Sequence, residues 1–130
     1  CSVWIYWLNI TDTDMVHAGH LTGLLHLTLK EVDISDKGLN ELANIEHLRT
    51  LELTNIYKMT DEGLKNFEHQ QYLYECRVSG GARLTNDSID FFRNLPSLTK
   101  LYVRSTTGLT DEAIVSLKAD LPNCEVTTEL

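Results

Sequence analysis

Aspartate next to a hydroxyl residue is the chemical pairing that recurs in this sequence. Thr11-Asp12, Ser35-Asp36, Thr60-Asp61 and Thr110-Asp111 each set a carboxylate beside an alcohol, and Thr11-Asp12-Thr13-Asp14 doubles the arrangement. Carboxylates gathered in this way can hold a cation or move protons. The dense stretch at 11–14 lacks both the ligand spacing of a calcium loop and its closing Glu. The other pairs return together with their neighbours, so their cause must return as well. A Ser or Thr hydroxyl at a helix N-cap accepts from an orphan backbone N–H. An Asp in the first turn answers the positive end of the helix dipole. Asp12, Asp14, Asp36, Asp61 and Asp111 are therefore read as helix-start residues, with no catalytic or metal role expected.

The remaining reactive side chains give no stronger signal. His17 and His20 stand three apart on one predicted helix, and His26, His47 and His69 are scattered. No carboxylate or thiol is placed beside them as a zinc site requires, so they read as surface residues. Cys76 and Cys124 fall on predicted inward strand positions and read as buried free thiols, packing as small apolar groups and chemically inert. They lie in different units, two apart, which rules out a bridge between them. Ser79-Gly80-Gly81-Ala82 follows a strand but lacks the G-x-x-x-x-G-K-[ST] frame of a phosphate cradle, and reads as a turn. Neither G-x-S-x-G nor H-E-x-x-H is present. The expectation is a protein that is not an enzyme and carries no cofactor.

The elements that carry these residues follow a fixed period. Leu48-Arg49-Thr50-Leu51-Glu52-Leu53 leads to Thr60-Asp61-Glu62-Gly63-Leu64. Leu24-x-x-Leu27-x-Leu29 leads in the same way to Ser35-Asp36-x-Gly38-Leu39, and Leu73-x-x-Cys76-x-Val78 to Thr85-Asn86-x-Ser88-Ile89. Leu98-x-x-Leu101-x-Val103 leads to Thr110-Asp111-x-Ala113-Ile114, and a worn copy opens the chain at Thr11-Asp12-x-Asp14-Met15. The hydroxyl positions 11, 35, 60, 85 and 110 are 24 or 25 residues apart. A period in the twenties marks a solenoid of strand–turn–helix units. The predicted fold class is α/β: a short right-handed solenoid, with five or six parallel strands on one side and about five short helices on the other. No Pro/Gly-rich linker divides the chain, so residues 1–130 read as one domain of about five repeats, which can be a piece of a longer protein.

L-x-x-L-x-L strands at this period resemble leucine-rich repeats. The [ST]-D-x-G-L helix start and the closing Leu121-Pro122-Asn123-Cys124-Glu125-Val126 resemble the cysteine-containing subtype of F-box substrate receptors and its planctomycete-like bacterial relatives. This resemblance implies a parallel sheet on the concave side, where most such proteins bind partners, and it implies no chemistry. It leaves an alternative, the substrate-recognition half of an F-box-type adaptor. Thr11-Asp12 to Leu29 and the ending Leu121 to Leu130 are also similar to coupling factor B-like proteins (ATP synthase subunit s). That likeness implies a structural or assembly subunit of a respiratory membrane complex.

In chain order, Ser2 to Leu8 is predicted as the first strand, with Val3 and Ile5 inward and Trp4 and Tyr6 outward. So apolar an edge must meet more protein or associate. Thr11 or Thr13 starts a helix that runs through Met15, Ala18 and Leu21. The next helix runs from Lys37 to about Asn44, burying Leu39, Leu42 and Ile45. Later helices bury Leu64 and Phe67, Ile89 and Phe92, then Ile114 and Leu117. Leu121 to Thr127 is the last predicted strand.

The chain has a formal net charge of −8 and 42% hydrophobic residues. So acidic a protein is a poor partner for nucleic acid or an anionic membrane surface. No run of eighteen apolar residues is long enough to span a bilayer. Cys1 to Ile10 lacks the basic start and cleavage site of a signal peptide, and lipidation of Cys1 is not expected. With free thiols the expected compartment is intracellular and reducing, in the cytoplasm or on the mitochondrial matrix side. The face the strands turn to solvent is then the candidate interface, for a protein partner. Its candidate contact residues are Trp4, Tyr6, His26, Lys30, Glu52, Glu75, Arg77, Tyr102 and Arg104, because Tyr, Trp and Arg most often anchor interfaces. The N-terminal edge strand is a second candidate surface, for self-association.

Overall fold

The computed structural model describes residues 2–6, 10–80, 83–104 and 108–129, without the side chains of 3–6 and 129. Cys1 lies outside them. Six strands form one parallel sheet in chain order: β1 (Ser2–Tyr6), β2 (His26–Lys30), β3 (Thr50–Thr54), β4 (Glu75–Ser79), β5 (Lys100–Arg104) and β6 (Glu125–Glu129). Between them run a 3₁₀ segment (Asp14–His20) and the helices α1 (Asp36–Asn40), α2 (Asp61–Lys65), α3 (Ile89–Arg93) and α4 (Asp111–Asp120), with a 3₁₀ turn (Asn86–Ser88) before α3. The architecture is α/β, with a parallel sheet and short helices.

The register follows the sequence period. His26 lies opposite Ser2 and Thr50 opposite His26, each 24 residues on. Glu75, Lys100 and Glu125 continue the row at steps of 25. Alternation then sends Leu27, Leu29, Leu51, Leu53, Cys76, Val78, Leu101 and Val103 to the core, each 3% exposed or less. Ile5 does lie opposite Leu29, as the sequence pattern requires, with Val3 opposite Leu27.

The helices are short because the chain must return to the next strand within one period. The predicted helix to Asn44 stops at Asn40, and tight turns replace it: Leu42 N–H donates to Leu39 O and Ala43 N–H to Asn40 O. Leu39, Leu42 and Ile45 are buried as expected, at 0 to 1% exposure. Each such side chain contributes about 1.5–3 kcal/mol of apolar burial. The first helix differs more. It is a 3₁₀ segment whose Thr13 makes no side-chain cap, and it stops at His20, leaving Leu21 as a 40% exposed residue past its end. The last strand also starts later than predicted. Leu121 is the residue that ends α4, Cys124 N–H donates back to Leu121 O across Pro122-Asn123, and β6 begins at Glu125. Cys124 is thus in a turn and only partly buried, whereas Cys76 is wholly buried.

Two devices join neighbouring units. After β2, β3 and β4 the chain takes a left-handed residue: Glu31 (φ 54), Asn55 (φ 54) and Gly80 (φ 64). Their N–H groups donate to Thr54 O, Ser79 O and Arg104 O at 2.9, 2.8 and 2.9 Å. Gly and Asn are suited to this conformation, and Glu31 adopts it at a cost of about 1–2 kcal/mol. The second device is Gln70, buried at 1% exposure, whose amide accepts from Leu48 N–H and donates to Ile45 O. It satisfies a backbone N–H at the start of its own unit and a backbone carbonyl of the preceding one, both of which would otherwise be buried without partners.

Candidate functional site

The alternate register positions of the strands, of which Trp4, Tyr6 and Glu129 are placed by their backbone alone, form three rows across the sheet. Ser2, His26, Thr50, Glu75, Lys100 and Glu125 make the first, and Trp4, Thr28, Glu52, Arg77, Tyr102 and Thr127 the second. Tyr6, Lys30, Thr54, Ser79, Arg104 and Glu129 make the third. Parallel strands about 4.8 Å apart bring each residue beside its row neighbours.

Several predicted contact residues meet. Arg77 reaches along its own strand to Glu75, with Nε and Nη2 each 2.9 Å from Oε1. Its guanidinium carbon lies 4.1 Å from the centroid of the Tyr102 ring on the next strand. The acid fixes the guanidinium and the ring face receives it, a cation–π contact of about 0.5–1 kcal/mol at an exposed site. Lys30 pairs diagonally with Glu52 at 3.0 Å. His26 Nδ1 lies 2.8 Å from Thr50 Oγ1, and the Thr54 and Ser79 hydroxyls are 3.3 Å apart. Arg104 is exposed at the end of β5. Trp4 and Tyr6 belong to β1, with backbones opposite Thr28 and Lys30, and their side chains lie outside the described residues. The face interleaves Lys30, Arg77, Lys100 and Arg104 with Glu52, Glu75 and Glu125, so the charge of −8 is carried elsewhere.

The hydroxyl–carboxylate pairs sit at the other edge of the units, where the helices begin. Ser35, Thr60 and Thr85 cap their helices by accepting from the N–H two residues on, and Thr110 accepts from Ala113 N–H. The aspartates do something the sequence reading missed. Asp12 accepts from Ser35 N–H (2.8 Å) and Oγ–H (2.5 Å) of the next unit. Asp36 takes Thr60 in the same way, and Asp61 takes Thr85. Asn86 continues the series by accepting from Thr110 N–H at 3.0 Å. Gly38 and Gly63 make room, since a Cβ there would run into the Asp12 or Asp36 carboxylate. The signal was present in the sequence, because donor and acceptor share one period. Partial burial pushes the Asp12 carboxyl up, but the Ser35 hydroxyl and N–H, the Gly38 N–H and Lys37 outweigh it and hold the carboxyl below its ordinary value.

Burial pushes the Cys76 thiol up to about 12, with smaller contributions from Cys124 and Glu75. Cys124 is raised by burial and by Glu125. Neither is a ready nucleophile at neutral pH. Gly80 already spends its N–H on Arg104 O, and Gly81 and Ala82 of the predicted turn lie outside the described residues. Among the described residues no three His, Cys, Asp or Glu side chains converge as a metal site. On the helix side Lys65, Glu68, Asp87, Asp90, Phe91 and Asn94 line an open polar cleft of about 240 Å³. Aromatic surface also lies outside the strands, unforeseen from their alternation. Tyr57, Tyr72 and Tyr74 are 60%, 52% and 39% exposed, and His47 packs on Tyr72 with ring centroids 5.7 Å apart. Among the described residues no helix is long and apolar enough to cross a membrane.

No family model matches the chain, and no curated protein matches it.

Proposed function

We propose that the chain is a short right-handed leucine-rich-repeat solenoid, one domain over residues 1–130, which recognises a partner protein on its strand-lined face and performs no chemistry itself. The observation that carries this reading is the Glu75–Arg77–Tyr102 cluster. An arginine already held by an acid and laid on a tyrosine loses little freedom on binding, and both are anchor types at protein interfaces. The rows around it mix hydroxyls with both signs of charge, a surface suited to protein rather than to a polyanion. The inward positions repeat while the outward ones change from strand to strand, which is how a scaffold carries a specific surface. The free Cys76 and Cys124 suit a reducing compartment, cytoplasmic or on the mitochondrial matrix side.

Selection of a random peptide library against the chain tests the proposal. Peptides that bind should shift amide resonances of β3 to β5. They should bind an Arg77→Ala/Tyr102→Ala variant at least about tenfold more weakly, the equivalent of losing one modest hot spot. Peptides that bind parent and variant alike, and shift resonances only on the helix side, would overturn it.

A further inference from the structure

The turns that lead from helix to strand form an edge of their own, and its middle is aromatic. Leu48, Leu73 and Leu98 open three successive units there and are buried, at 0%, 0% and 7% exposure. The residues on either side of them change from unit to unit. His47, Tyr72 and Ser97 precede the leucines, Arg49, Tyr74 and Thr99 follow them, and all six are exposed. Backbone hydrogen bonds fix their order across the edge. Tyr74 N–H donates to Arg49 O, and the N–H groups of Thr99 and Lys100 both donate to Tyr74 O, each at 2.9 Å. Tyr74 therefore stands between the units that carry Arg49 and Lys100.

The rings are large apolar surfaces left in water. Tyr72 and Tyr74 are 52% and 39% exposed, and among the described residues neither phenol makes a hydrogen bond. On one flank His47 packs on Tyr72. On the other stand only Ser97 and Thr99, whose hydroxyls donate to Gln71 O (2.6 Å) and Tyr74 O (3.1 Å). Both are short and spent on the backbone, so that flank has little with which to cover a ring. The cations beside the rings are unanswered. Lys30, Lys58, Lys65, Arg77 and Arg93 each hold a carboxylate, but among the described residues Arg49 and Lys100 hold none, in a chain with 19 acidic residues. Glu46 precedes His47 and Glu125 lies opposite Lys100, yet neither pairs with Arg49 or Lys100, and Glu75 is already taken by Arg77.

We infer that this edge is a second docking surface, which takes an extended acidic segment of a partner protein. Carboxylates of the segment pair with Arg49 and Lys100, and an apolar side chain between them lies on Tyr72 and Tyr74. The dimensions agree. Arg49 and Lys100 are two strands apart, about 10 Å at the spacing of parallel strands, which three residues of extended chain span. Binding breaks no ion pair of the chain, because neither cation has one to give up, and the opposite charges set both orientation and choice of partner. Tyrosine adds a large apolar ring with a polar tip, which is why it anchors interfaces together with arginine. Arg77 and Tyr102 take no part, so the inference does not rest on the proposed function of the strand face.

Selection of a random peptide library on the Arg77→Ala/Tyr102→Ala variant tests it, since the strand-face cluster is then gone. The expected peptides are rich in Asp and Glu and shift amide resonances of residues 47–49 and 72–74. They bind at least about tenfold more weakly after Arg49→Glu or Tyr72→Ala/Tyr74→Ala, with circular dichroism to check folding. Versions of the peptides with lysine in place of each acid should lose binding, and should regain part of it on Arg49→Glu/Lys100→Glu, a recovery that a merely structural role of these residues would not give. A selection that yields no binder at this edge would overturn the inference. So would binders without acidic residues, or binders indifferent to both Arg49→Glu and the double tyrosine change. Failure of the strand-face proposal alone would leave these results as they are.

Discussion

The helix-start edge and the strand face are built from the same units, yet they behave as opposites. At the helix-start edge the same contact appears between each interior pair of units: Asp12 to Ser35, Asp36 to Thr60, Asp61 to Thr85, with Asn86 to Thr110 as its neutral form. On the strand face the contacts described differ from strand to strand. Lys30 meets Glu52, His26 meets Thr50, and Arg77 meets Glu75 and Tyr102. A group that recurs with the period answers a need that recurs, which is holding one unit on the next. A group that appears once is free of that need and can answer to a partner.

If this division is right, removing a repeated group should cost stability and removing a unique one should not. Asp36→Ala takes both hydrogen bonds from Thr60 and leaves an N–H of limited access without a partner. We expect a loss of about 2–3 kcal/mol in urea denaturation, since hydrogen bonds to charged groups are the costly ones to lose. A loss below about 0.5 kcal/mol would break the comparison on its strongest side.

Acid should act on the same edge. The Asp12 carboxyl is held below its ordinary value, so the folded chain binds fewer protons at this site than the unfolded chain. Its contribution is whole above the ordinary aspartate value of about 4 and disappears as the pH falls through the lower folded value. Asp12→Asn should therefore flatten the fall of thermal stability below about pH 4, while leaving the profile at neutral pH parallel to the parent's.

The smallest effect belongs to the face. The Lys30 and Glu52 side chains remain 33% and 29% exposed, so Lys30→Ala should change stability by about 1 kcal/mol or less. A larger cost would mean that the face, too, holds the units together.

Much of this arrangement was legible beforehand, for definite reasons. Strand positions show because alternation and a fixed period leave little choice: Leu51 and Leu53 can only face inward if Leu27 and Leu29 do. The hydroxyl caps show because Ser35 and Thr60 act within their own turn. The aspartate contacts did not show, because they join residues 23 or 24 apart and depend on how closely the units stack. The Leu121–Cys124 turn was misjudged for a related reason. It lies in a terminal unit, where one neighbour is absent from the described sheet and apolar spacing no longer decides burial. On the face, residue types were legible but pairings were not. Register sets Arg77 between Glu52 and Tyr102, yet its side chain turns to Glu75 on its own strand.

The claim that repeated acids serve the stacking of units is tested most directly by a double-mutant cycle between Asp12 and Gly38. Alanine at an interior helix position is favoured over glycine by about 1 kcal/mol, but at Gly38 its Cβ would run into the Asp12 carboxylate. Measured by urea denaturation, Gly38→Ala should destabilise the parent by about 1 kcal/mol or more, and be neutral or stabilising once Asp12→Ala has cleared the space. An equal effect of Gly38→Ala in both backgrounds would contradict the account, because the glycine would then owe nothing to the aspartate of the unit before it.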